Sequence, residues 1–243
     1  MMMEEMTWPE IEAGLARTRT VLLPVGALEE HGPHLPTITD TLQADEVARE
    51  VARRRPIFIA PPVHYGVCRS TRGFPGTVSV TFDGLRHYVR DILFSLSECG
   101  FEHVLVLAGH AGGQHMAALK EACQDAAAAG LRVSLVTDFD FILSEAVEAA
   151  DDGHAGEVET SRMLYHRPDL VKGLPAAHHP KRPRYLVLRD VRHLMGNGIM
   201  GDPSRASAEK GRHFFQIAVQ GVLEVLDELE SFPDPPGSGV LRE

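Results

Sequence analysis

The chain predicts an α/β fold: a single-domain three-layer sandwich whose mostly parallel sheet is covered by helices on both faces. Three observations carry this reading. Short apolar runs of strand length alternate with amphipathic helical stretches. The runs are apolar almost without interruption, as strands buried on both faces are. Finally, 243 residues, 44% of them hydrophobic, bury a full core without a second unit. The domain is expected over residues 1–232, with 233–243 a polar, Pro/Gly-rich tail that does not pack.

Thr7 and Glu10 stand at the spacing of a capping box, which starts a short first helix. Residues 20–25 (TVLLPV) read as the first strand and 41–54 as its crossover helix, with Leu42, Val47 and Val51 on one face. The unit then repeats. Residues 57–63 (IFIAPPV) read as strand, 84–98 as a helix presenting Leu85, Val89, Ile92, Leu93 and Leu96, and 103–109 (HVLVLAG) as the third strand. A helix over 114–129 ends at Gly130, and a strand follows at 132–138. Residues 157–166 read as a helix stopped before Pro168, 185–191 (YLVLRDV) as a late strand, and about 204–230 as the last helix.

Composition removes several functions. A formal net charge of −10 argues against a nucleic-acid partner or an anionic membrane surface, both of which select basic proteins. No run of about 18 apolar residues is present to span a bilayer, and no basic-then-apolar leader opens the chain, so a cytoplasmic protein is expected. The three cysteines lack C-x-x-C spacing and read as reduced thiols, so any metal is expected on nitrogen and oxygen.

Chemistry-bearing residues gather where the strands end, the edge at which open parallel sheets bind ligands. Glu29 and His31 follow the first strand, His64 and Tyr65 the second, His110 the third, and Asp138 closes the fourth. Glu29 and His31 point to one side of an extended segment, with Glu30 on the other. Asp40 stands where a helix N-cap would, yet beside these two it reads as a ligand folded back toward them. His34, in the Pro-rich turn, reads as a surface or supporting histidine. Residues 151–161 (DDGHAGEVETS) bring His154, Glu157 and Glu159, a run that in isolation compensates a helix dipole. Carboxylates, imidazoles and a central Asp suit Zn, Mn or Fe, and two such ions imply metal-assisted hydrolysis.

A competing class comes from 196–201 (GNGIMG), which matches the dinucleotide-binding glycine pattern of an oxidoreductase. It sits in the last strand-helix unit, Pro203 intervenes before the helix, and no later strand offers an acidic residue to a ribose.

The blocks PVGALEEHGPHLPTITDTLQA (24–44), GFPGTVSV (73–80), AGHAGG (108–113), HAGEVETS (154–161) and GDPSRASAEKG (201–211) resemble the creatininase (creatinine amidohydrolase) family, in the family's order. The resemblance implies two divalent ions per chain (Zn, Fe or Mn), hydrolysis of a small, non-peptide amide C–N bond by a metal-bound hydroxide, and a homo-oligomer. It implies Glu29, Asp40 and His110 as ligands of one ion, and His31 with a bridging Asp40 at the other. It also implies His154 as the proton carrier to the leaving nitrogen, and Glu159 as a carboxylate close by.

Two departures stand out. Creatininase proper has a glutamate ligand where this chain has Gly112, so either Glu159 supplies the second ion's ligand or that ion is weakly held. It also has a tryptophan before the HAG block, whereas the single tryptophan here is Trp8, which argues against creatinine. Arg69 and Arg72 either clamp an anionic group or are plain surface arginines; facing the site, with Gly112, they imply an anionic small-molecule substrate. That favours the formamidopyrimidine-ribotide deformylase branch, with the mycofactocin-precursor peptidase branch as the rival.

Overall fold

The computed structural model describes residues 1–142, 147–149, 151–181, 183 and 185–233. Helix α1 (Trp8–Leu15) opens with the expected box, the Thr7 N–H donating to Glu10 Oε2 at 2.7 Å. Strands β1 (Thr20–Val25), β2 (Phe58–Ile59), β3 (His103–Ala108) and β4 (Arg132–Thr137) form one sheet in the order β2-β1-β3-β4, and every pair is parallel. Between them run α2 (Thr39–Arg54), α3 (Phe82–Glu98) and α4 (Gly113–Ala128). After β4 come α5 (Phe139–Ile142), α6 (Glu157–His166), α7 (Arg192–Met195) and α8 (Ala208–Ser231).

Alternation along each strand sends side chains to two cores. Val21, Leu23 and Val25 of β1, with Val104 and Val106 of β3, pack under α3 and α4 against Val89, Leu93, Ala118 and Leu119. Leu22, Leu105 and Leu107 face the other way, onto Val47 and Val51 of α2 and Phe214, Ala218 and Val222 of α8. These are the three expected layers, and full burial of each aliphatic side chain contributes roughly 1.5–3 kcal/mol.

Three readings of elements are corrected. Strand β2 is two residues long because Pro61 and Pro62 interrupt the run, and pairing resumes only as an isolated bridge between Val25 and Val63. The last helix starts at Ala208, not near 204: Pro203–Arg205 is a 3-10 turn, and Ser207 Oγ caps α8 by accepting from the Lys210 N–H at 3.2 Å. Residues 185–191 are not a strand. Tyr185, Leu186 and Val187 are 83%, 68% and 102% exposed, and the run has no described strand beside it to complete a ladder. The expected tail, apart from Pro233, lies outside the described residues. No helix among them is long and apolar enough to cross a membrane.

Helix α2 begins directly over the strand ends. A Cβ at Gly109, just after β3, would lie 2.0 Å from the carbonyl oxygen of Asp40, so only glycine lets β3 and the first turn of α2 approach this closely.

Candidate metal centre

Glu29, His31, Asp40 and His110 converge above the carboxyl ends of β1 and β3, and all but His110 are fully buried. Asp40 is no cap: the N-cap position of α2 is Ile38, and the Asp40 carboxylate turns to the two histidines. Its Oδ1 lies 2.9 Å from His31 Nε2 and its Oδ2 3.2 Å from His110 Nδ1. Glu29 Oε1 lies 2.8 Å from the same His110 nitrogen. Each oxygen of one carboxylate thus serves a different imidazole.

The far side of each ring decides its tautomer. His31 Nδ1 faces the Glu29 carbonyl at 3.1 Å and His110 Nε2 the Val67 carbonyl at 3.3 Å. A carbonyl only accepts, so both nitrogens donate, and each ring's other nitrogen turns a lone pair toward carboxylates. Lone pairs opposing carboxylates require a cation between them, either a proton or a metal ion. Consistently, Glu29 Oε1 and Asp40 Oδ2 are buried without a hydrogen-bond partner.

Burial alone would lower the pKa of His31, but Asp40 and Glu159 raise it well above the ordinary value; burial of His110 is likewise outweighed by Glu29 and Asp40. Burial would raise Glu159, yet His31 and His154 hold it down at about 2. Three groups among the described residues have donor atoms within 4.8 Å of one another: His31, Asp40 and Glu159; Glu29, His31 and His154; and Glu29, Cys68 and His110. The residues fit a divalent metal, and they fit two better than one.

The 151–161 run is not a solvated helix start. Glu157 is buried, its Oε1 held by Lys210 Nζ at 2.7 Å and its Oε2 by the N–H groups of Glu148 and Ala149. Glu159 turns Oε1 to within 3.6 Å of His31 Nε2, and Oε2 accepts from the Ala155 N–H. His154 Nε2 donates to the Glu30 carbonyl at 2.8 Å, leaving Nδ1 as the acceptor, 3.9 Å from Glu29 Oε1. Asp152 caps α6 through the N–H groups of Glu157 and Val158, and burial raises its pKa to about 6. His34 is not at the surface: it is buried, its Nε2 lies 2.8 Å from Thr160 Oγ1, and burial lowers its pKa to about 4.

The glycine loop at 196–201 takes no part in a strand-turn-helix cradle. A Cβ at Gly198 would lie 2.0 Å from Glu30 Oε2, and Met200 exchanges backbone hydrogen bonds of 2.8 and 2.9 Å with His154. The loop is a strap across the segments carrying His154 and Glu30, which removes its dinucleotide reading.

A cavity of about 370 Å³ opens onto this cluster, lined by Glu29, His110, His154 and Glu159, and by Arg69 and Gly112. Arg72 is exposed and outside the lining, so of the two arginines only Arg69 borders the cavity. His64 is exposed, and Asp138 is spent on Arg162 at 2.6 Å. Three neighbours escaped the sequence reading. Thr71 Oγ1 donates to Glu29 Oε2, His115 Nδ1 accepts from the Val67 N–H at 3.3 Å, and Cys68 lies against Glu29 and His110. His115 stands in the same glycine-rich block as His110, a signal that was available; a single Thr or Cys in a loop carries none.

A family model described as creatinine amidohydrolase matches residues 4–226. The chain is 31% identical over 247 residues to the creatinine amidohydrolase of Pseudomonas putida, covering 92% of this chain and 95% of the relative. It is 36% identical over 218 residues to the mycofactocin precursor peptide peptidase of Mycolicibacterium smegmatis, covering 84% and 83%. A solved structure of manganese creatininase superposes with a TM-score of 0.86 at 28% identity, over 96% of this chain and 99% of that one.

Proposed function

The chain belongs to the creatininase family, and from that premise we propose that it is an amidohydrolase with two divalent ions per chain, acting on a C–N bond of a small anionic amide or formamide. The observation that carries the reading is the Asp40 carboxylate, one oxygen toward His31 and the other toward His110. When bound, the ions polarise the amide carbonyl and lower the pKa of a shared water to about 7.

Glu29, Asp40 and His110 would hold the first ion. His31, Asp40 and Glu159 would hold the second, with Glu159 in place of a ligand at position 112. A Cβ at Gly112 would lie 2.4 Å from His110 Nε2, so no longer residue fits there while His110 keeps its place. His154, its tautomer set by the Glu30 carbonyl, accepts a proton on Nδ1 and passes it to the leaving nitrogen. Arg69 and the amino end of α4 line the same cavity, and both favour an anionic substrate group.

A ribotide formamide of the formamidopyrimidine class fits that combination. The 36% identity to a peptidase favours a second reading, in which the cleaved amide is that of a precursor peptide. Elemental analysis tests the metal centre: about two ions per chain are expected, and fewer in His31→Ala. Turnover of anionic formamides without peptide cleavage supports the first reading; the reverse pattern supports the second.

A further inference from the structure

Cys99 is exposed, whereas Cys68 and Cys123 are buried. Cys123 packs in the apolar cluster beneath α3 and α4. Cys68 is only 1% exposed yet belongs to neither core cluster. It lies in the segment after β2, next to Val67, whose carbonyl orients His110, and its own N–H is secured by Ser79 Oγ at 3.0 Å. Its sulfur lies within 4.8 Å of donor atoms of Glu29 and His110. Glu29 Oε1, which lies 2.8 Å from His110 Nδ1, is buried without a hydrogen-bond partner, in a residue only 1% exposed. A cysteine that merely fills space sits among apolar side chains, as Cys123 does; Cys68 sits beside a carboxylate and an imidazole.

Building on the two-metal reading above, we propose that Cys68 is itself a metal ligand: its thiolate joins Glu29, Asp40 and His110 at the first position. The thiol proton leaves to solvent as the ion binds. The two positions are then chemically unequal. One offers sulfur, nitrogen and oxygen, which suits zinc, cobalt or iron; the other, His31 with Asp40 and Glu159, offers only nitrogen and oxygen and accepts manganese more readily. The expectation that any metal here is held by nitrogen and oxygen alone is replaced on one side.

Cobalt(II) tests this, because a cobalt–thiolate bond adds a near-ultraviolet charge-transfer band that nitrogen and oxygen ligands do not give. Chelator-treated wild-type, Cys68→Ser and Cys99→Ser proteins are loaded with cobalt, and bound metal is counted by elemental analysis. The band is expected in wild type and Cys99→Ser, and absent from Cys68→Ser that still binds cobalt. Cobalt bound to wild type without the band overturns the role of Cys68 and leaves the metal centre standing. No retained cobalt in any of the three overturns both. In zinc-against-manganese competition, Cys68→Ser should lose at least about tenfold of the zinc preference, the scale on which even outer-shell losses act; an unchanged preference counts against the proposal. If Cys68→Ser does not fold, Cys68→Ala and the wild-type spectrum decide.

Discussion

Two buried charge clusters lie side by side over the ends of the strands, and they are built on opposite principles. In one, Asp138 and Arg162 are both fully buried and meet at 2.6 Å, with Arg162 also donating to the Gln43 carbonyl at 3.1 Å. In the other, the charged or chargeable partners of Glu29, Asp40 and Glu159 are all imidazoles, and among the described residues no lysine or arginine pairs with them. The first supplies its own counter-charge; the second waits for one. Gln43 joins them, its amide donating to the Glu159 carbonyl at 3.2 Å, so the closed pair braces the helices that carry the open cluster. A permanently paired charge holds the scaffold, and a starved one marks the place where chemistry enters.

Four experiments test that contrast. The largest effect is expected from Asp40→Asn, which should take turnover to background and empty the centre by elemental analysis, while circular dichroism shows an intact fold. A protein that kept both ions would refute Asp40 as the bridge. His154→Ala should keep its metals and lose about 10²–10⁴ in kcat, the usual worth of a positioned acid; loss of metal instead would make His154 a ligand, as its proximity to Glu29 and His31 allows. In the closed pair, Arg162→Met leaves Asp138 buried and unpaired, and urea unfolding should show a loss of about 3–5 kcal/mol. A loss under 1 kcal/mol would place this pair outside the usual range for a broken buried ion pair.

The smallest effect is one of sign. In chelator, His31 and His110 have folded-state pKa values above their ordinary 6.5, so the stability they contribute is complete below 6.5 and is lost as pH rises through the raised values. Glu159, held near 2 against an ordinary 4.5, contributes above 4.5 and loses its contribution as pH falls toward 2. These groups therefore favour the metal-free protein most between about 4.5 and 6.5. Loaded protein should behave oppositely above neutrality, because ions bind deprotonated ligands and gain as pH rises. Melting temperatures in chelator and in zinc that changed in parallel as pH rose above neutrality would remove the contrast.

The layers were legible in the sequence because local pattern encodes them: β1 and β3 are near-continuous apolar runs buried on both faces, and α2 to α4 bury residues at helical spacing. The 185–191 strand failed because strand propensity says nothing about whether a partner edge stands beside it. In the centre, Glu29 and His31 were readable from the alternation of an extended segment, which is a local rule. The burial of Glu157 and Glu159 was not, since it depends on α8 bringing Lys210 across and on the strap at 196–201. Cys68 was least legible of all: its place beside Glu29 depends on how the segments after β1, β2 and β3 meet.

Residues 29 to 31 concentrate three duties in one tripeptide. The side chain of Glu29 turns to His110 and that of His31 to Asp40, while the carbonyl of Glu30 between them holds His154. An engineer would call this a single point of failure. No one of the three duties can be tuned without moving the others, and a library that varies this stretch should return either near-complete function or none, with few intermediates.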